Sequence, residues 1–179
     1  MLILRCTQKL LKKKPGPTDD RQDDLVPVLG SWHANLIWLA HVPIVLCVND
    51  VSLLAILLRG RNFPNLVNAF RNRVAARLER MGLPEDIISL ECAAMDVVQV
   101  QPSNSRSVLA SMNDFARGLK FQVERRSKSL DFDALEDHMS ETPMGALDYQ
   151  YSREVALAAF GSHPPQPKSS VIPDSKFEL

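Results

Sequence analysis

The sequence predicts an α+β fold, with a small, mainly antiparallel sheet of about four to five strands covered by four to five helices. Three apolar runs between residues 35 and 58, separated by Pro43 and by Asn49–Asp50, have the length and the β-branched content of strands. Between residues 105 and 126 apolar side chains recur every three to four positions, as on one face of a helix. A group of strands followed by several helices is typical of the α+β class.

The predicted strands are short because turn-forming residues bound each of them. Asn49–Asp50 supplies a turn between two apolar runs, and Pro102 ends an alternating segment because proline lacks the N–H group that a ladder needs. The five strands are predicted at Leu2 to Thr7, Asn35 to Val42, Ile44 to Val48, Val51 to Leu58 and Val97 to Gln101.

The predicted helices begin and end at recognisable signals. Pro64 suits a first helical turn, Gly82 suits a stop, and Glu85 with Asp86 places negative charge at the positive end of a helix dipole. The helices are predicted at about residues 62–81, 84–95, 105–126, 130–140 and 151–160.

The helix at residues 105–126 is predicted to be the element around which the protein is built. Its apolar face contains Val108, Met112, Phe115, Leu119 and Val123, and we expect this face to pack on the sheet. The remaining surface carries small or polar groups, which allow close approach and directed hydrogen bonds. Trp38 and Phe115 are both predicted to lie in the core.

Length and composition indicate one α+β domain over residues 1–160 and a disordered or loosely attached tail over residues 161–179, which contain four prolines. The apolar region Leu36–Leu58 is broken by polar residues, so no membrane segment is expected. Cys6, Cys47 and Cys92 lie far apart, which favours reduced, buried thiols and a cytoplasmic protein without a metal site. The sequence indicates no cofactor.

Charge is distributed unevenly along the chain. Residues 1–82 hold 12 Lys/Arg and 6 Asp/Glu, whereas residues 83–179 hold 9 and 15. One interpretation is that the two halves attract each other within one fold, and the other is a basic face for a polyanion or an acidic partner. The acidic group at residues 131–137 is predicted to be a solvated helix face. The possible basic face comprises Lys12, Lys13, Lys14, Arg73, Arg77 and Arg80, with the arginines facing solvent.

Three segments together resemble a bacterial domain-of-unknown-function family, number 6933. They are L-R-C-T-Q-K-L-L-K at Leu4–Lys12, W-H-A-N-L at Trp32–Leu36 and N-S-R-S-V-L-A-S-M-N-D-F at Asn104–Phe115. The family usually reads N-R-S-V-L-G-S-M-N-D-F in the last segment, so this chain has an added Ser105 and Ala110 in place of glycine. The resemblance covers roughly residues 1–160 and implies a compact α+β domain of a bacterium, without an established activity.

The same segments supply a candidate polar pocket. If the first two strands pair and the central helix covers them, their polar side chains converge, and Arg106 near a helix N-terminus suits an anion. The alternative is that these groups satisfy buried backbone atoms. The candidate residues are Arg5, Thr7, Gln8, Lys9, Trp32, His33, Asn35, Arg106, Ser111, Asn113 and Asp114.

Three functions remain open from the sequence. The preferred one is a non-enzymatic interaction module of the bacterial cytosol that binds a protein or a nucleic acid through the basic face. The second is a small enzyme for an anionic substrate, with Arg106 holding the anion and His33 or Asp114 moving a proton, and with Ser107 or Ser111 as a possible nucleophile. The third, by analogy alone, is a component of a toxin–antitoxin or phage-defence pair.

Overall fold

The computed structural model describes residues 1–15, 25–125 and 130–161. Short 3-10 turns occur at Phe63–Asn65 and Gly145–Leu147. In chain order the strands and helices are β1 (Leu2–Cys6), α1 (Gln8–Leu11), β2 (Trp32–Leu39), β3 (Val42–Asn49), β4 (Ala55–Arg59), α2 (Leu66–Arg80), α3 (Glu85–Ala94), β5 (Val98–Pro102), α4 (Arg106–Arg125), α5 (Phe132–Ser140), β6 (Pro143–Met144), β7 (Gln150–Tyr151) and α6 (Ser152–Gly161).

The main sheet has five strands in the order β4-β3-β2-β1-β5, and β6 pairs with β7 in a separate small sheet. The predicted α+β class is confirmed. The sheet is more mixed than predicted: β2, β3 and β4 are antiparallel, but β1 is parallel to both β2 and β5. Parallel neighbours need a crossover connection instead of a tight turn. A long segment that includes α1 separates β1 from β2, and β5 follows α2 and α3, so both neighbours start again at the same end of the sheet as β1.

Alternate residues of the strands point to two separate apolar layers, as the period of two requires. Leu4 and Trp32 belong to the layer that contains Phe70 of α2. The Trp32 and Phe70 rings pack edge to face, with 5.3 Å between the ring centres. Ile37 and Leu46 belong to the layer that contains α4 and α5. The sheet is therefore covered on both faces by helices.

The central prediction about α4 is confirmed. Val108, Met112, Phe115, Leu119 and Val123 are all buried, and α4 packs against β2 and β3. Spacing of three and four residues places these side chains on one face because the helix has 3.6 residues per turn. The sheet and α4 therefore meet through a continuous apolar contact.

Several predicted boundaries differ from the structure. Strand β2 begins at Trp32, three residues before the predicted start, and Val51–Leu54 form the turn into β4. A two-residue turn at Ala40 and His41 joins β2 to β3, with positive φ angles of 46° and 66°. Helix α6 includes Gly161, and the rest of the predicted tail, residues 162–179, lies outside the described part of the chain.

Candidate functional site

Three parallel strands bring Arg5, His33 and Gln101 into one row. Arg5 of β1 is opposite His33 of β2 on one side and Gln101 of β5 on the other. The Arg5 guanidinium donates a hydrogen bond to Gln101 Oε1 at 3.1 Å. Nearby, the Thr7 hydroxyl donates to Asn35 Oδ1 at 2.9 Å. The first two strands therefore pair, as the candidate pocket requires. Four residues of that pocket lie close together on these strands or directly after them: Arg5, Thr7, His33 and Asn35.

His33 is the centre of this group and has no exposed surface. Its Nδ1 lies 2.8 Å from the Ser103 hydroxyl, and its Nε2 lies 3.3 Å from Asp50 Oδ1. Burial is the largest influence and lowers the pKa of His33; Asp50 raises it in part, and the Arg5 charge lowers it further. The ring is therefore neutral at pH 7.

Serine, histidine and aspartate in contact resemble the set that nucleophilic catalysis uses, but the members differ from the predicted ones. The partners of His33 are Ser103 and Asp50 instead of Ser107, Ser111 or Asp114. Because the imidazole is enclosed on all sides, it has no open side from which to exchange protons with a substrate. The contacts of His33 with Asp50 and Ser103 join β2 to the turn after β3 and to the end of β5.

The α4 members of the predicted pocket do not contribute to the His33 group. Arg106, Asn113 and Asp114 are exposed, and Asp114 forms an ion pair with Arg117 on the outer surface of α4. Ser111 is buried at the contact with the sheet. Trp32 belongs to the opposite face of the sheet, and Lys9 is exposed on α1. Among the described residues, no hydrogen bond or ion pair connects the exposed α4 side chains to His33.

The prediction of a solvent-facing arginine stripe on α2 is wrong. Arg77 is only 1% exposed and donates hydrogen bonds to the Ser140 hydroxyl at 2.6 Å and to the Glu136 carbonyl at 3.3 Å, besides its ion pair with Asp137. Arg73 and Arg80 each lie 2.7–2.8 Å from carboxylate oxygens of α5. Arg73, Arg77 and Arg80 of α2 thus pair with Asp133, Glu136 and Asp137 of α5, and we call these six side chains the α2–α5 cluster.

Glu136 is the buried anion of this α2–α5 cluster and has no exposed surface, so the prediction of a solvated acidic face is wrong at this residue. Asp131, Asp133 and Asp137 are exposed, as predicted. The Glu136 carboxylate accepts bonds from Arg73 at 2.8 Å and from Arg80 at 2.7 Å. It also accepts the Leu57 N–H at 2.8 Å, a donor on the outer edge of β4. Burial alone would lower the pKa of Arg73, yet its contacts with Glu136 and Asp133 raise that pKa overall, so the guanidinium stays charged.

The lysines of the predicted basic face remain available. Lys12, Lys13 and Lys14 follow α1 and are all exposed. Without the α2 arginines they form a short local run instead of an extended basic surface. The exposed lysines therefore give little support to a partner, such as a nucleic acid, that recognises a broad positively charged surface.

A groove at the β2–β3 turn was not predicted, and we call it the hairpin groove. Its volume is about 450 Å³, and Trp38 at its side is 50% exposed, so the prediction of a core tryptophan is wrong. Phe121, on the same end of α4, is 56% exposed. The lining residues of the hairpin groove are Trp38, Ala40, His41, Lys120, Val123 and Glu124.

The cysteines show no sign of an activated thiolate. Burial raises the pKa of Cys6 to about 12 and also raises the pKa values of Cys47 and Cys92. No group of three or more metal-binding side chains is placed to hold a metal ion within residues 1–15, 25–125 and 130–161. In the same ranges, no helix combines the length and apolar character needed to cross a membrane.

Replacing His33 by glutamine is expected to flatten the pH dependence of stability. Below pH about 6.5 His33 becomes protonated in the unfolded chain but stays neutral in the folded protein. This difference should lower the free energy of unfolding as the pH is lowered, by up to about 1.4 kcal/mol per pH unit. The check is urea unfolding from pH 7.5 to 5. His41→Gln, in the exposed turn, is the control and should keep the wild-type slope. An unchanged slope in His33→Gln would contradict the account of His33.

Comparison with known proteins adds a family and no activity. No curated protein matches the chain. The model of a domain of unknown function, DUF6933, matches residues 3–155, a range that contains all of the five-stranded sheet except Leu2, together with the His33 group, the α2–α5 cluster and the hairpin groove. The match covers most of the sequence, and the chain belongs to the DUF6933 family.

Proposed function

We propose that the protein is a non-enzymatic interaction module of the bacterial cytosol, and that it binds another protein through the hairpin groove. The observation that carries the proposal is the half-exposed Trp38 beside a groove of about 450 Å³. Tryptophan is enriched among the residues that contribute most to protein–protein binding, and exposed apolar patches mark interaction sites.

The local charges favour a protein partner over a nucleic acid. Lys120 and Glu124 both line the hairpin groove, so this surface has no single sign of charge. Nucleic-acid binding depends on many cations that neutralise phosphates, and Arg73, Arg77 and Arg80 of α2 are already paired with α5. The enclosed His33 likewise gives little support to an enzyme with an open site.

Exchanging Trp38 for serine is expected to weaken partner capture strongly without loss of folding. We expect partner binding to weaken by about 30-fold or more, because truncation of a hot-spot residue costs at least ~2 kcal/mol. The measurement is capture of partners from a bacterial lysate by immobilised protein, with identification by mass spectrometry and titration of the purified partner.

Leu90→Ser is the matched control, because Leu90 is an apolar residue of α3 that is 63% exposed and does not line the hairpin groove. It should retain the partner that Trp38→Ser loses. Equal retention by both variants would contradict the proposed surface. Capture of nucleic acid that decreases steeply with salt would instead support the nucleic-acid alternative.

A further inference from the structure

A second groove runs along the contact between α2 and α3, and we call it the α2–α3 groove. The short turn at residues 81–84 joins the two helices, which contact each other. The volume of the groove is about 520 Å³. No described residue lines both this groove and the hairpin groove, and α2 lies on the opposite face of the sheet from α4. The two grooves are therefore separate surfaces.

The floor of the α2–α3 groove is apolar and only partly covered. Ala75 and Ala76 of α2, Leu83 of the turn and Ile88 of α3 are each half-buried. Small side chains such as the two alanines allow another helix to approach α2 closely, because the side chains at a contact set the distance between helix axes. A helix that lies in the groove also removes the exposed apolar surface of Leu83 and Ile88 from water.

Two carboxylates lie where the groove meets the turn. Glu79 and Glu85 are exposed, and the described lining residues include no lysine or arginine. Neither side chain forms an ion pair or a hydrogen bond with any residue in the described ranges. The residues three and four positions before Glu79 are Ala75 and Ala76, so the neighbouring positions on α2 offer it no cation. This end of the groove is therefore negatively charged.

The position of Glu79 indicates a cation from outside the chain. Glu79 lies in the last turn of α2, where the helix dipole favours positive charge and disfavours a carboxylate. The arginines of the same turn, Arg77 and Arg80, pair with α5 instead. Glu85 differs, because it opens α3 and the dipole favours a carboxylate there. A basic side chain of a ligand would give Glu79 the partner that α2 does not provide.

We propose that the α2–α3 groove binds an amphipathic helix of a second partner protein, with lysine or arginine at the end that reaches the turn. This inference goes beyond the proposed function, because it assigns a further binding surface that does not depend on Trp38. Asn72 and Glu79, both in the lining, are two helical turns apart, about 10 Å, so two turns of the ligand helix fill the groove. The carboxylates repel phosphate groups, which favours a protein helix over a nucleic acid or an anionic membrane.

The test uses random peptides of about 16 residues, enough for four helical turns, displayed on phage. They are selected against the wild-type protein and counter-selected against Ala76→Gln, in which a longer side chain occupies the floor of the groove. One selected peptide is synthesised and titrated. Its affinity for Glu79→Lys/Glu85→Lys should be about tenfold lower, since two attractive charge pairs become repulsive. The matched control is Glu141→Lys/Glu154→Lys, which reverses two exposed glutamates outside the groove and should bind like the wild type.

Two changes in the peptide test its helical form and its charge. Proline at a central position should lower the affinity by at least about tenfold, because proline breaks a helix. Glutamate in place of its basic residues should restore binding to Glu79→Lys/Glu85→Lys. A peptide that tolerates the proline, or that binds the charge-reversed variant as tightly as the wild type, would overturn the inference. A selection that yields no peptide sensitive to Ala76→Gln would also overturn it.

The two proposals fail in different experiments. The peptide should bind Trp38→Ser as tightly as it binds the wild type. Loss of binding to Trp38→Ser would place the peptide in the hairpin groove and overturn the second surface, while it would support the proposed function. Partner capture that is equal in Trp38→Ser and the wild type would remove the hairpin groove and leave the result for the α2–α3 groove unchanged.

Discussion

The Glu136→Ala variant is expected to lose about 3–5 kcal/mol of unfolding free energy, the typical cost of leaving a buried charge without its partner. The substitution removes the carboxylate that Arg73 and Arg80 contact at 2.7–2.8 Å. It also leaves the Leu57 N–H on the β4 edge without its acceptor. The loss should appear as a lower urea midpoint with an unchanged slope.

The control is Asp133→Ala. Asp133 contacts the same two arginines at 2.7 Å, but its side chain is 54% exposed, so water replaces it and we expect a loss below about 1 kcal/mol. A similarly small loss in Glu136→Ala would show that the arginines reach solvent when the anion is removed. In that case the α2 arginines would again be available as a basic face.

Truncation of Phe115 to alanine is expected to cost about 3–5 kcal/mol, because it opens a cavity where α4 packs on the sheet. Phe115 is 5% exposed and lies in the apolar layer with Leu46 and Met112. Thermal unfolding followed by circular dichroism measures the loss.

Phe121→Ala is the matched control because the residue type and the helix are the same. Phe121 is 56% exposed, and the Arg125 guanidinium lies 5.3 Å from its ring centre. We expect its truncation to cost less than about 1 kcal/mol, as for an exposed cation–π pair. Equal losses in the two variants would mean that α4 does not present one face to the sheet.

Local periodicity explains why α4 was predictable. The spacing of Val108, Met112 and Phe115 depends only on residues within a few helical turns, so the sequence contains the whole signal. Strand identity was predictable for the same reason, since short apolar runs with β-branched residues favour strands. The parallel pairing of β1 was not, because it depends on contacts between residues far apart in the chain.

The candidate site was predicted in part. His33 belongs to the predicted polar pocket, but its partners Asp50 and Ser103 come from distant turns that carry no motif. The signal that would have found Ser103 is its position after an alternating strand, where the ends of parallel strands meet.

Turn chemistry explains the error at Trp38. The turn that follows β2 uses Ala40 and His41 with positive φ, where Asn and Gly are the usual residues, so the sequence gives no turn signal. Without that turn, Trp38 reads as the middle of a buried apolar run. The structure shows instead that Trp38 lies near the end of β2, where β2 still pairs with β3 but no longer with β1.

The α2–α5 cluster was missed because charge counting does not say which charges meet. Arg77 has the spacing of a surface stripe with Arg73 and Arg80, and only the packing of α5 on β4 reveals that this stripe faces inward. The general interpretation, that the basic and acidic halves attract each other, agrees with these contacts.

Backbone hydrogen exchange of the protein alone and with its captured partner tests the hairpin groove most directly. The account predicts slower exchange at Leu36–His41 and over residues 120–124 of α4 when the partner is bound, with the Trp38 amide among the most strongly slowed. Slowing confined to Lys12–Lys14 or to α2 and α5, with Trp38 unchanged, would contradict it.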